Sequence, residues 1–254
     1  MKIMKTMIRL LAVAVTIPIV AAAQPADSIT ALVHRADMKR RGKTSEGTMT
    51  MTVVRPDWKR TVSMKAWSLG TDYSLIVITA PAKEKGQAFL KRKNEMWSFV
   101  PSIDRIVKLP PSMMGQSWMG SDFTNDDLLK ESSLSIDYTH KLLGEEERGG
   151  HRCRKIEALP KEDAAVVWGK ILLWITIDDE NIIRAERYDE DGALMSVETA
   201  TNIRKVDDRV IPTKMEMVPA DKKGNRTILE IGAMKFNAPL RESFFSQQNL
   251  RRVR

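Results

Sequence analysis

The chain reads as a mainly β protein: an antiparallel sheet of about a dozen strands with a few helices. Three observations carry this reading. Apolar and polar residues alternate with a period of two through most of the chain. Turn residues such as Glu84-Lys85-Gly86, Glu190-Asp191-Gly192 and Lys222-Lys223-Gly224-Asn225 recur at hairpin spacing. No strand–helix–strand alternation interrupts them, so a parallel α/β architecture is not indicated.

The first 23 residues stand apart. Lys2, Lys5 and Arg9 precede an apolar run over residues 10–20, and Ala21-Ala22-Ala23 follows it. A basic start, a short apolar stretch and small residues at the cut form a secretory signal peptide, and the run is too short to span a bilayer. The mature chain is expected to begin near Gln24 and to form one domain over residues 24–254 in the periplasm. Of the 41 basic residues, 38 remain once those three leave with the leader, against 33 acidic ones. That mildly basic balance suits anionic headgroups as well as plain solubility, and does not indicate nucleic acid.

A helix opens the mature chain. Asp27 is the expected N-cap, Ile29, Leu32, Val33 and Ala36 form an apolar stripe, and Lys39, Arg40 and Arg41 favour the C-terminal end before Gly42. Met49, Met51 and Val53 then alternate with threonines up to Pro56, and Val62, Met64 and Ala66 alternate in the next strand. Residues 73–80 are nearly all apolar, as expected of a strand covered on both faces. Strands follow over 88–92, 96–100 and 105–109, the last ending at Pro110-Pro111.

The second half repeats the pattern. Leu134, Ile136 and Tyr138 share a strand face, residues 144–150 form a charged turn, and 152–159 return from it. Residues 171–177 alternate around Trp174, with a turn at 178–181. Strands over 194–200, 211–218 and 227–236 complete the set.

Residues 110–130 fit neither strand nor solvent loop. Met113, Met114, Trp118, Met119 and Phe123 lie among glycines and serines, more apolar side chains than an exposed loop would carry. Thr124 with Asp127 is a T-x-x-D capping box, which predicts a short helix over 125–131 and assigns Asp122, Asp126 and Asp127 to capping and dipole roles. Twelve of the 15 methionines lie outside the leader, many at alternating strand positions including Met215 and Met217. Such alternation serves a methionine-packed core and a lipid cavity equally well.

Chemistry is sparse. No G-x-S-x-G, P-loop or G-x-G-x-x-G motif occurs, and no nucleophile–base pair stands out, so an enzyme is not indicated. His151 and Cys153 could supply two ligands but not the four of a structural zinc site. Met113, Met114 and Met119 lack the Cys or His that would accompany a Cu(I) site. Cys153, the lone cysteine, is expected to be buried. Asp104-Arg105 is read as a turn with a local ion pair, and Arg251, Arg252 and Arg254 as a solvated basic tail. No metal or cofactor is expected.

Three stretches together are distinctive: Trp97-Ser98-Phe99-Val100-Pro101-Ser102-Ile103-Asp104-Arg105-Ile106, then Lys108-Leu109-Pro110-Pro111-Ser112-Met113-Met114, then Ser117-Trp118-Met119-Gly120-Ser121-Asp122-Phe123-Thr124-Asn125-Asp126-Asp127-Leu128. With the opening helix, the strand around Trp174 and the ending Phe244-Phe245-Ser246-Gln247-Gln248-Asn249-Leu250, they resemble the outer membrane lipoprotein-sorting family, the LolA-like proteins that accompany RND-type (MMPL) exporters. The resemblance implies an open, strongly curved antiparallel half-barrel whose concave apolar face is plugged by helices. It implies a monomeric carrier of lipid or lipoprotein acyl chains between an inner-membrane exporter and an outer-membrane acceptor. A lipid-sensing regulatory protein with the same cavity is the other reading. Shorter lipoprotein carriers of the superfamily lack the 101–127 block, so lipoprotein as cargo rests on the resemblance alone. The residues expected to line the cavity or its lid are Met49, Met51, Met64, Trp97, Phe99, Met113, Met114, Trp118, Met119, Phe123 and Trp174.

Overall fold

The computed structural model describes residues 28–130 and 134–253; the expected signal peptide over residues 1–23, Asp27 and Arg254 lie outside them. The chain order begins with helix α1 (Ile29–Arg41), β1 (Thr44–Val54), β2 (Lys59–Leu69), β3 (Tyr73–Ala80), β4 (Ala88–Arg92), β5 (Glu95–Val100) and β6 (Arg105–Leu109). After the 110–130 segment come α2 (Leu134–Asp137), β7 (Tyr138–Arg148), β8 (His151–Pro160), β9 (Lys170–Thr176) and β10 (Ile182–Tyr188). The chain closes with β11 (Leu194–Val206), β12 (Arg209–Pro219), β13 (Arg226–Phe236) and α3 (Gln247–Arg252).

Among the described residues, 13 strands make one sheet in the order β6-β5-β4-β3-β2-β1-β13-β12-β11-β10-β9-β8-β7. Two antiparallel meanders are thus joined where β1 pairs with β13, and β6 and β7 are the open edges. The sheet is antiparallel, as the sequence pattern predicts, and open and curved, as the resemblance implies. Near the seam, β1 and β13 slip register between Gly47 and Met49. A Cβ on Gly47 would lie 2.4 Å from the Ala233 carbonyl oxygen, so the bulge admits only glycine there without a shift of backbone.

Register assigns side chains to two faces. Leu173, Ala185, Glu198, Met217 and Thr227 are successive cross-strand partners and share one face, here called inner. Met215, Leu229, Met51 and Val62 continue that face one pleat along. α1 covers one half of it: Leu32, Val33 and Ala36 pack on Ile156, Leu173, Ile175 and Ala185. The 110–130 segment covers the other half, through Met114, Trp118 and Phe123 on Met51, Met64, Ile76, Phe89 and Met96. α3 covers the outer face, where Phe245 and Leu250 pack on Leu75, Val77, Leu90, Trp97 and Phe99.

Several local expectations change. Ser28 caps α1, its Oγ accepting the Ala31 N–H at 3.1 Å. Gly42 closes the helix with φ +72° and an N–H to Met38 O of 2.7 Å. Residues 134–137 are the helical turn α2, not strand; an apolar i, i+2 spacing over so few residues fits either. Residues 144–148 belong to edge strand β7, where charged side chains are usual, leaving the turn at Gly149-Gly150. Asp104 sits in the left-handed region with φ +47° and pairs with Arg251 at 3.0 Å rather than with its neighbour. The start of the basic tail is therefore tied down: Arg251 lies in α3 and stacks over Phe99.

Candidate functional site

The 110–130 segment is a plug held by its own turns. Residues 111–113 and 118–120 are 3-10 turns, and Ser117 bridges to Thr124. Trp118 N–H donates to Phe123 O at 2.8 Å, and Asn125 donates through its backbone to Gln116 O and through its side chain to Met113 O, both at 2.8 Å. The capping box forms as its spacing predicts: Thr124 N–H donates to Asp127 Oδ2 at 2.8 Å and Asp127 N–H to Thr124 Oγ1 at 3.0 Å. The turn that follows, Asp126–Lys130, is wound as a π-helix.

Two sets of contacts fasten this plug to the sheet. At the hairpin end of β1 and β2, Arg55 binds Asp122 and the Gly120 carbonyl, each at 2.9 Å, and Arg60 donates to Met119 O. Asp122 also accepts from the Thr227 hydroxyl at 2.7 Å. At the other end Asp127 meets Arg187 of β10 at 3.2 Å and accepts from the Trp168 indole at 3.3 Å. Arg187 also pairs with Glu198 of β11 at 2.6 Å, and Arg40 of α1 reaches Glu198 at 3.5 Å. Burial opposes the charge on Arg187, but Asp127 and Glu198 outweigh it and raise its pKa. Burial likewise works against charge on Glu198, yet Arg187 and Arg40 hold its carboxyl below the usual value. Plug, sheet and helix thus meet at one buried ionic cluster.

Beside the cluster lies a cavity of about 140 Å³. Its apolar wall includes Met49, Met64, Ile76, Phe123, Met215 and Leu229, and its polar wall Arg40, Arg41, Asp127, Arg187 and Glu198. Arg41 is buried, and burial lowers its pKa despite its 2.9 Å pair with Asp37. Across the plug a more polar cleft of about 480 Å³ borders Lys91, Met96, Leu109, Met114 and Asp163.

The expected site residues divide. Met49, Met64 and Phe123 line the cavity. Met51, Met114 and Trp118 are buried in the adjoining core, with Met113 and Met119 packed against it. Trp118 sits 5.2 Å from the Phe89 ring, and its buried indole N–H has no hydrogen-bond partner among the described residues. Three expectations are corrected. Trp97 and Phe99 face outward under α3, because Met96 and Ser98 take the inner positions of β5. Trp174 also faces outward, packed with Cys153 and Ile183. Arg148, Lys155 and Arg184 lie 5.2, 5.1 and 5.4 Å from its ring, and its indole donates to Glu146 at 2.6 Å.

The ionic cluster was not anticipated. Its signal was a charged residue at an inward position on each of two neighbouring strands: Arg187 beside Ala185, and Glu198 between Ser196 and Ala200. Among the described residues no group of three or more His, Cys, Asp or Glu is placed to hold a metal ion. Cys153 is buried and free, its thiol 3.4 Å from His151 O. No described helix is long and apolar enough to cross a membrane.

No curated protein matches the chain in sequence. Solved structures match its fold over most of its length. A DUF1329 family protein from Desulfovibrio piger is 24% identical, with a TM-score of 0.80 over 87% of this chain and 97% of that one. A putative outer membrane lipoprotein-sorting protein domain from Vibrio parahaemolyticus is 24% identical, with a TM-score of 0.76 and the same coverage. A LolA superfamily protein from Nitrosomonas europaea is 24% identical, with a TM-score of 0.73 over 86% of this chain and 97% of that one. A family model described as "Uncharacterized protein" matches residues 70–252. That match spans well over half of the chain, which therefore belongs to this family, and the solved structures show that it shares their fold.

Proposed function

We propose that the protein is a periplasmic carrier that holds lipid or lipoprotein acyl chains on the inner face of its sheet, beneath the 110–130 plug. The carrying observation is a methionine-lined cavity closed by a segment that is fastened to the sheet but not woven into it. At about 140 Å³ the space is near that of an engineered void that takes benzene, whereas ligand sites span roughly 300–1,000 Å³. An acyl chain therefore enters only when the plug moves and gives up the inner face it covers. Methionine suits such an exchange, because its flexible, polarisable side chain repacks against varied apolar surfaces. Each buried CH₂ contributes about 0.8 kcal/mol, so a long chain is held tightly and leaves only for a better site. An inner-membrane exporter of the RND/MMPL type loads the carrier in this reading, and an outer-membrane acceptor unloads it. The lipoprotein-sorting name of a structural neighbour supports the choice of cargo class.

The test is native mass spectrometry of protein purified from its own periplasm, with lipid extraction of the same preparation. A bound acyl lipid is the expected result. An empty protein, under handling that preserves lipid on a known carrier, overturns the proposal. Capture of a signalling protein in place of an exporter would convert the carrier into a sensor.

A further inference from the structure

The hairpin tips at one end of the sheet form a rim of unusual composition. The β1–β2 turn (55–58), closed by Arg55 N–H to Trp58 O at 2.9 Å, presents Trp58 with 49% of its surface exposed. The β12–β13 turn sits against it, since a Cβ on Gly224 would lie 3.5 Å from Pro56. The β3–β4 turn is joined by Arg60–Glu84 at 3.0 Å, and Gly86 in turn meets Pro101 of the β5–β6 turn, whose Ile103 is 58% exposed. These tips carry Lys59, Lys83, Lys85, Lys222, Lys223 and Arg226, all exposed, against the exposed carboxylates Asp57, Asp221 and Asp104, the last paired with Arg251. Among the described residues the five lysines form no ion pair, and Arg226 has a loose one at 3.8 Å to Glu216. The tips of the other half of the same sheet end are acidic, with Glu162, Asp163, Asp189, Glu190 and Asp191.

We propose that this basic rim docks on an anionic lipid bilayer, with Trp58 entering the headgroup layer. Its charge complements a surface of phosphates, and lysines near such a surface add attraction one by one. Its apolar side chains stand singly on separate tips and form no groove that a peptide or helix would fill. Tryptophan prefers the membrane–water interface, where its ring is half apolar and half wet. The position also has a use. Arg55 and Arg60, which flank Trp58, hold the plug through Gly120 O, Asp122 and Met119 O. Docking at this rim brings the plug's 118–122 tip to the membrane surface. The inference stands whether or not the cavity holds an acyl chain.

Vesicle flotation with the mature chain tests it, using phosphatidylcholine alone and phosphatidylcholine mixed with phosphatidylglycerol. The expected result is binding to the mixed vesicles only, weakening as salt rises. Trp58→Ser, and Lys222→Glu with Lys223→Glu, should each weaken binding by about tenfold or more. Lys205→Glu with Lys235→Glu, exposed at the opposite end and equal in charge change, should leave it intact. No binding to either vesicle, equal binding to both, or equal loss in the two charge-reversed pairs overturns the proposal. So does absence of vesicle binding together with rim-dependent capture of an acidic protein. Melting curves for each variant separate a docking defect from an unfolded chain.

Discussion

Arg187 on β10 lies 3.2 Å from the Asp127 carboxylate, and this pair joins the plug to the wall of the cavity. Because Arg187 also pairs with Glu198 at 2.6 Å, it is shared between two buried carboxylates. Replacing Arg187 by Ala leaves Asp127 without its cation and Glu198 with only Arg40 at 3.5 Å, and breaking a buried pair this way costs about 3–5 kcal/mol. A loss of unfolding free energy of that size, read from urea denaturation, is expected. A shift under about 1 kcal/mol, the worth of a surface pair, would show that the cluster is solvated in solution.

Acid should act through the same cluster. Burial alone would raise the Glu198 pKa, but Arg187 and Arg40 bring it below the ordinary value of 4.5. A carboxylate depressed on folding stabilises the fold above its unfolded pKa and loses that contribution as pH falls through its folded pKa. Melting temperature should therefore hold from neutral pH to about 4.5 and decline below it. In Glu198→Gln the decline should be shallower; an unchanged slope would assign acid sensitivity to other carboxylates.

Two tryptophans of equal burial should behave differently. Trp118→Ala removes the ring that packs on Phe89 and should cost about 3–5 kcal/mol. Amide exchange should rise first across residues 113–128, and bound lipid per protein should fall. Trp174→Leu removes an outward ring contacted by three cations and by Glu146, at about 1–3 kcal/mol, with lipid content unchanged. Lipid loss in Trp174→Leu but not in Trp118→Ala would reverse the assignment of faces.

Burial raises the pKa of the Cys153 thiol and covers it. Since the thiolate is the reactive form, a thiol reagent should label the native protein slowly and the urea-unfolded protein at once. Rapid native labelling would place Cys153 in a part of the sheet that opens readily.

The sequence alone was enough for most elements, and the reason is local. Period-two alternation and turn residues are written along the chain, so β3, β4 and β6 begin and end where their patterns do. The capping box of Thr124 and Asp127 was legible in the same way, as an interaction three residues long. Alternation states which residues share a face, but not which face becomes the inner one. Met96 and Trp97 read alike as apolar neighbours on one strand, and only the packing of the plug on one side and α3 on the other separates a cavity-side methionine from an outward tryptophan. The Arg187–Asp127–Glu198 cluster depends on Asp127 of the plug meeting residues 60 or more positions later on two neighbouring strands, so it too was decided by tertiary structure. So was the size of the cavity, which is set by how deeply the plug's side chains fill a curved sheet.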